Sequence, residues 1–75
     1  MSEMTAQDCA RLEAYLQTTF GQDGIRVVPR DRTKDSAEVL LRGEFIGVLY
    51  KDEEDGELSF DFNMAILSED LPKTA

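Results

Sequence analysis

The chain has no histidine and no tryptophan, and Cys9 is its only cysteine. Without histidine the commonest general base is missing, so no Ser/His or Cys/His nucleophile pair can form. Without a second cysteine there is no disulfide framework, and the usual nitrogen and sulfur ligand sets for zinc cannot be assembled. No phosphate-binding loop of the GxxxxGK[ST] type and no GxGxxG fingerprint occurs. Long apolar runs are also absent, and acids come early in "MSEMTAQDCARLEAYL", so neither a membrane anchor nor a signal peptide is expected. A lone cysteine fits a reducing, cytoplasmic setting. These absences point to a non-enzymatic protein with no cofactor and no bound metal.

Basic residues are scarce: 8 Lys and Arg stand against 16 Asp and Glu, for a formal charge of −8. That balance opposes non-specific binding to nucleic acid or anionic membrane. The charge is uneven along the chain. Residues 25–43 hold five basic groups (Arg26, Arg30, Arg32, Lys34 and Arg42) against three acids, whereas residues 44–75 hold nine acids against two basic groups. Such asymmetry can steer association with a partner or with a second copy.

Seventy-five residues make one domain, 1–75, with little room for a core. A helix is predicted over residues 5–20. Thr5 and Asp8 form a capping box, Met4 and Cys9 a hydrophobic staple, and Gly21 a C-terminal cap. Cys9, Leu12, Leu16 and Phe20 recur at helical spacing and form its core stripe, with Tyr15 beside them. Four strands are predicted at about 25–30, 36–42, 45–51 and 57–67, with a tail at 68–75. The fold class is then α+β: one N-terminal helix packed on a four-stranded antiparallel meander.

A register consistent with the apolar pattern turns the second hairpin at Gly43-Glu44 and closes the third with Lys51 opposite Glu57. The first hairpin pairs Pro29 with Ala37 and Val27 with Val39. One sheet face then collects Ile25, Val27, Ala37, Val39, Leu41, Ile46, Val48, Tyr50, Leu58, Phe60, Phe62 and Met64 as the core. The other face carries Val28, Leu40, Phe45 and Leu49, ringed by Arg26, Arg42 and Glu38. An apolar centre with a charged rim is how a protein contact is built, which marks these seven residues as a candidate interface. A homodimer or an unidentified protein partner would cover it. The alternative is a small nucleic-acid or anion binder using Arg26, Arg30, Arg32 and Lys34, which the acidic whole disfavours.

The acidic stretch "KDEEDGE" reads as a hairpin loop. Asp55-Gly56 is a strong turn pair, and Gly56 supplies the positive φ. Aligned as a calcium loop, it would put Lys51 and Phe62 at ligand positions, both wrong. Weak cation attraction by residues 52–57 is the most that the stretch suggests.

Together "IRVVPR", "DSAEV", "EFIGVLY", "DEEDGELSF" and "NMAIL" resemble a family of short alphaproteobacterial proteins of unknown function, from about Leu12 to Leu67. The resemblance implies a stand-alone bacterial cytoplasmic protein. It implies no activity, cofactor or site residue.

Overall fold

The computed structural model describes residues 3–30, 34–54 and 56–72. Helix α1 spans Ala6–Phe20, and strands β1 (Ile25–Pro29), β2 (Ser36–Leu41), β3 (Glu44–Glu54) and β4 (Glu57–Asn63) follow. A 3₁₀ turn occupies Ser68–Asp70. The strands form one antiparallel sheet in the order β1-β2-β3-β4. The protein is therefore α+β, with its helix at the N-terminus.

Both ends of α1 are written in the local sequence. The Thr5 hydroxyl accepts from the Asp8 amide at 3.0 Å, and an Asp8 carboxylate oxygen accepts from the Thr5 amide at 3.1 Å. The box satisfies amides that a helix start leaves without partners. Gly21 closes the helix at φ 63°, in the left-handed region, and its amide donates to the Gln17 carbonyl. Met4 and Cys9 are buried together in the core. Phe20, the last helical residue, is exposed, and Tyr15 is more exposed still.

The helix packs chiefly along β1. Its side chains also cap that strand's free edge. The Gln17 side-chain amide donates to the Ile25 carbonyl at 2.8 Å, and the Glu13 carboxylate accepts from the Val27 amide at 2.9 Å. An edge strand with its polar groups satisfied in this way is a poor template for further pairing.

The first hairpin has the expected register: Ile25 pairs with Leu41, Val27 with Val39 and Pro29 with Ala37. The other two differ. The β2–β3 turn lies at Arg42-Gly43, one residue earlier than expected, with φ 52° and 84°. Positive φ at both central positions is the type I′ turn, whose twist matches that of the flanking strands, and Gly43 fits the second of them. The ladder then shifts between Val39 and Leu40: Val39 pairs with Gly47 and Leu40 with Phe45, leaving Ile46 as the extra residue of a β-bulge. The β3–β4 hairpin is three residues longer than expected. Glu54 rather than Lys51 stands opposite Glu57, and Lys51 pairs with Phe60.

These shifts invert most of β3. Because side chains alternate, a one-residue slip exchanges the faces. Leu49 and Gly47 point to the helix side, while Val48 and Tyr50 point away from it. At β4 the second shift cancels the first, so Leu58, Phe60 and Phe62 stay on the helix side. The buried core is Met4, Cys9, Leu16, Ile25, Val27, Ala37, Val39 and Leu49, with Leu12, Leu41, Ile46, Phe60 and Phe62 packed against it. Tyr50, expected in the core, is exposed, and so is Met64. Strand β4 ends at Asn63, opposite Val48, and not at residue 67.

Candidate interaction surface

The helix-free face of the sheet is built from alternate residues of four strands. Arg26, Leu40 and Phe45 form one cross-strand row. Val28, Glu38, Val48 and Asn63 form the next, and Ser36, Tyr50 and Asp61 the one after. Five apolar side chains therefore share this face: Val28, Leu40, Phe45, Val48 and Tyr50. Phe45 is 53% exposed, Val28 and Tyr50 each 40%. Leu40 and Val48 are half-buried. Arg26, Glu38, Asp61 and Asn63 surround and punctuate the cluster.

Of the seven expected contact residues, Val28, Leu40, Phe45, Arg26 and Glu38 lie on this face. Leu49 does not: it is 2% exposed and sits in the core under the helix, turned there by the bulge. Arg42 occupies the β2–β3 turn, where its amide donates to the Gly24 carbonyl and its guanidinium to the Gln22 side chain at 3.3 Å. Val48 and Tyr50 take the place assigned to Leu49. Only the bulge reveals them, and a bulge leaves little mark in a sequence whose strand alternation looks regular.

The helix-side face has its own chemistry, which centres on Lys51. Its ammonium lies 2.7 Å from an Asp8 carboxylate oxygen and 2.9 Å from the Glu3 carbonyl oxygen. Both side chains of the ion pair are nearly buried, at 12% and 10% exposure. The pair ties the long β3–β4 hairpin to the capping box at the start of the helix. The Lys51 hydrogen bond and that of the Thr5 amide hold the Asp8 carboxyl below its usual range, and partial burial opposes them. Beside the pair, Asp8, Arg11, Leu12, Tyr15 and Phe60 line an open groove of about 410 Å³. The neighbouring Cys9 thiol is pushed up by burial, with the Asp8 and Glu13 charges adding to the effect. That is the setting of a packed thiol rather than a nucleophile.

The alternative basic set is dispersed. Arg26 pairs with Glu13 at 3.6 Å and Lys34 with Glu3 at 3.8 Å. Arg30 is half-buried just past β1, and Arg32 lies outside the described residues. The acidic stretch is mostly strand rather than loop. Asp52, Glu54 and Glu57 face away from the helix, and Glu53 faces the helix side. Asp55 lies outside the described residues, and Gly56 turns the chain at φ 78°. Among the described residues no group of three or more His, Cys, Asp or Glu is placed to hold a metal ion. Nor is any described helix long and apolar enough to cross a membrane.

No curated protein and no solved structure matches the chain. A family model described as "Protein of unknown function (DUF3126)" matches residues 8–70, and the chain belongs to that family.

Proposed function

We propose that this protein is a small non-enzymatic interaction module of the cytoplasm that self-associates through the helix-free face of its sheet. The observation that carries the reading is the cluster on the helix-free face, where Val28, Phe45 and Tyr50 are exposed and Leu40 and Val48 half-buried beside them. Such a grouping with a mixed-charge rim is characteristic of contact surfaces. A chain of this size also gains from a second layer, since one helix leaves half of its sheet open to water. The face is four strands wide, roughly 19 Å, and about 20 Å long. That footprint is small beside the ~800 Å² per partner of a standard stable interface, so the dimer dissociates in roughly the micromolar range.

Sedimentation equilibrium from about 1 µM to about 500 µM tests this. The wild type should pass from monomer to dimer, and Phe45→Asp should stay monomeric with an unchanged far-UV spectrum. A folded Phe45→Asp that dimerises as the wild type does would overturn the reading, as would a wild type that remains monomeric throughout.

A further inference from the structure

The two edges of the sheet are finished differently. On β1 the Gln17 and Glu13 side chains hydrogen-bond to the strand's outer backbone. Strand β4 is the last in the sheet order, and among the described residues no group outside the sheet hydrogen-bonds to it. Its span, Glu57–Asn63, pairs with β3 without a register shift and contains no proline or lysine. A regular, uncovered edge of this kind offers a row of outward N–H and C=O groups to an added strand.

Alternation gives such a strand two different sets of neighbours. On the helix side it would lie beside Leu58, Phe60 and Phe62, of which Leu58 is exposed and the two rings are half-buried. The helix packs chiefly along β1 and leaves this part of the sheet open, where Phe60 lines the groove together with Leu12 and Tyr15. On the helix-free side it would lie beside Glu57, Ser59, Asp61 and Asn63, with Asp52 and Glu54 one strand further in. None of these acids is in an ion pair among the described residues, and the hairpin's one lysine, Lys51, is on the helix side and held by Asp8.

The charge decides the occupant. A second copy adding its own β4 antiparallel, about a twofold normal to the sheet, would set the Glu57 and Asp61 carboxylates of the two copies opposite or diagonal to one another, which is unfavourable. A strand with basic residues on that side and apolar residues on the other meets no such penalty.

We infer that β4 is an open edge that receives, as a fifth strand, an extended segment of another protein with alternating apolar and basic residues. The apolar side chains of that segment extend the row of Leu58, Phe60 and Phe62 beside the groove, and its basic ones face Asp61 and Glu57. This surface is distinct from the helix-free face. Stacking there leaves the backbone edge of β4 open, so the two contacts stand or fall separately.

The probe is a fluorescent heptapeptide of alternating valine and lysine, followed by anisotropy, with amide hydrogen exchange locating the contact. It should bind about tenfold more tightly than a peptide of the same composition with its lysines grouped at one end, since strand addition needs the alternation and bulk attraction does not. Two further peptides carry N-methyl groups on the valines or on the lysines. One should lose binding and the other keep it, because only alternate amides of an added strand face β4. Exchange should slow in β4 and stay unchanged in β1. Glu57→Lys with Asp61→Lys should weaken binding about tenfold. Equal binding of the alternating and grouped peptides, or no binding of either at about 1 mM, overturns the inference. So does a slowing of β4 exchange by protein concentration alone, which would give the edge to a second copy.

Discussion

Replacing Lys51 with methionine removes the ammonium that joins the β3–β4 hairpin to the helix start, while keeping the length of the side chain. Asp8 would keep its hydrogen bond from the Thr5 amide but lose its counter-charge, and the Glu3 carbonyl would lose a donor. Breaking a fully buried ion pair from one side costs about 3–5 kcal/mol. Here each side chain retains about a tenth of its exposure, and water can approach the orphaned carboxylate. We therefore expect a loss of about 2 kcal/mol, roughly 10 °C in midpoint for a domain of this size. The pH dependence has a definite sign. The Asp8 carboxyl is held below its unfolded value, so the stabilisation is fully present above about pH 4 and is lost as pH falls through the folded value. Lys51→Met removes the main cause of that depression. The gap between variant and wild type should be widest near neutral pH and should close in acid. Urea unfolding followed by circular dichroism across pH measures both quantities, and a cycle with Asp8→Asn isolates the coupling. A neutral-pH loss under about 0.5 kcal/mol, or a gap that persists unchanged in acid, would refute this account of the pair.

Three further outcomes follow from the backbone and the core. Gly47→Ala would set a Cβ 2.6 Å from both the Phe62 ring and the Asn63 carbonyl oxygen, so chemical denaturation should show a loss of about 1–3 kcal/mol. Arg42 sits at φ 52° and its guanidinium makes an exposed contact with Gln22, so Arg42→Asn should raise stability by about 0.5–1 kcal/mol; a loss would mean that the side-chain contacts outweigh the backbone relief. The Cys9 thiol, buried and pushed up, should react with an aromatic disulfide far more slowly in the native protein than in denaturant, and equal rates would show that the helix does not seal it.

The helix was legible because its signals are local. Thr5, Asp8 and Gly21 each act within one turn, and the structure uses all three as the sequence suggests. The first hairpin was legible because Ile25, Val27, Val39 and Leu41 leave one register that buries them all. The second and third hairpins were not. The apolar run from Phe45 to Tyr50 has hydrophobic residues of both parities, so alternation cannot choose a face there. The choice is made by turn geometry at Arg42-Gly43 and by the bulge at Ile46, neither of which a periodicity reading can detect. The length of the third hairpin was hidden for another reason: three consecutive acids look like loop, yet Asp52, Glu53 and Glu54 continue the strand. Lys51 looked like the neck of that loop and is instead the buried partner of Asp8. Periodicity alone therefore puts Leu49 on the surface and Tyr50 and Val48 in the core, whereas Val28, Leu40 and Phe45 fall on the open face in either register, because their positions on β1, on β2 and before the bulge do not depend on it.

Tyrosine offers the most direct view of the proposed docking face, because the chain has two and no tryptophan. Tyr50 lies on the helix-free face and Tyr15 on the helix. In a Tyr15→Phe variant, fluorescence reports Tyr50 alone, and acrylamide quenching can be followed as protein concentration rises. The account predicts that Tyr50 becomes protected in step with dimer formation, and that Phe45→Asp in the same background abolishes the protection. A Tyr50 that stays equally open to quencher while the protein dimerises would place the contact on another surface.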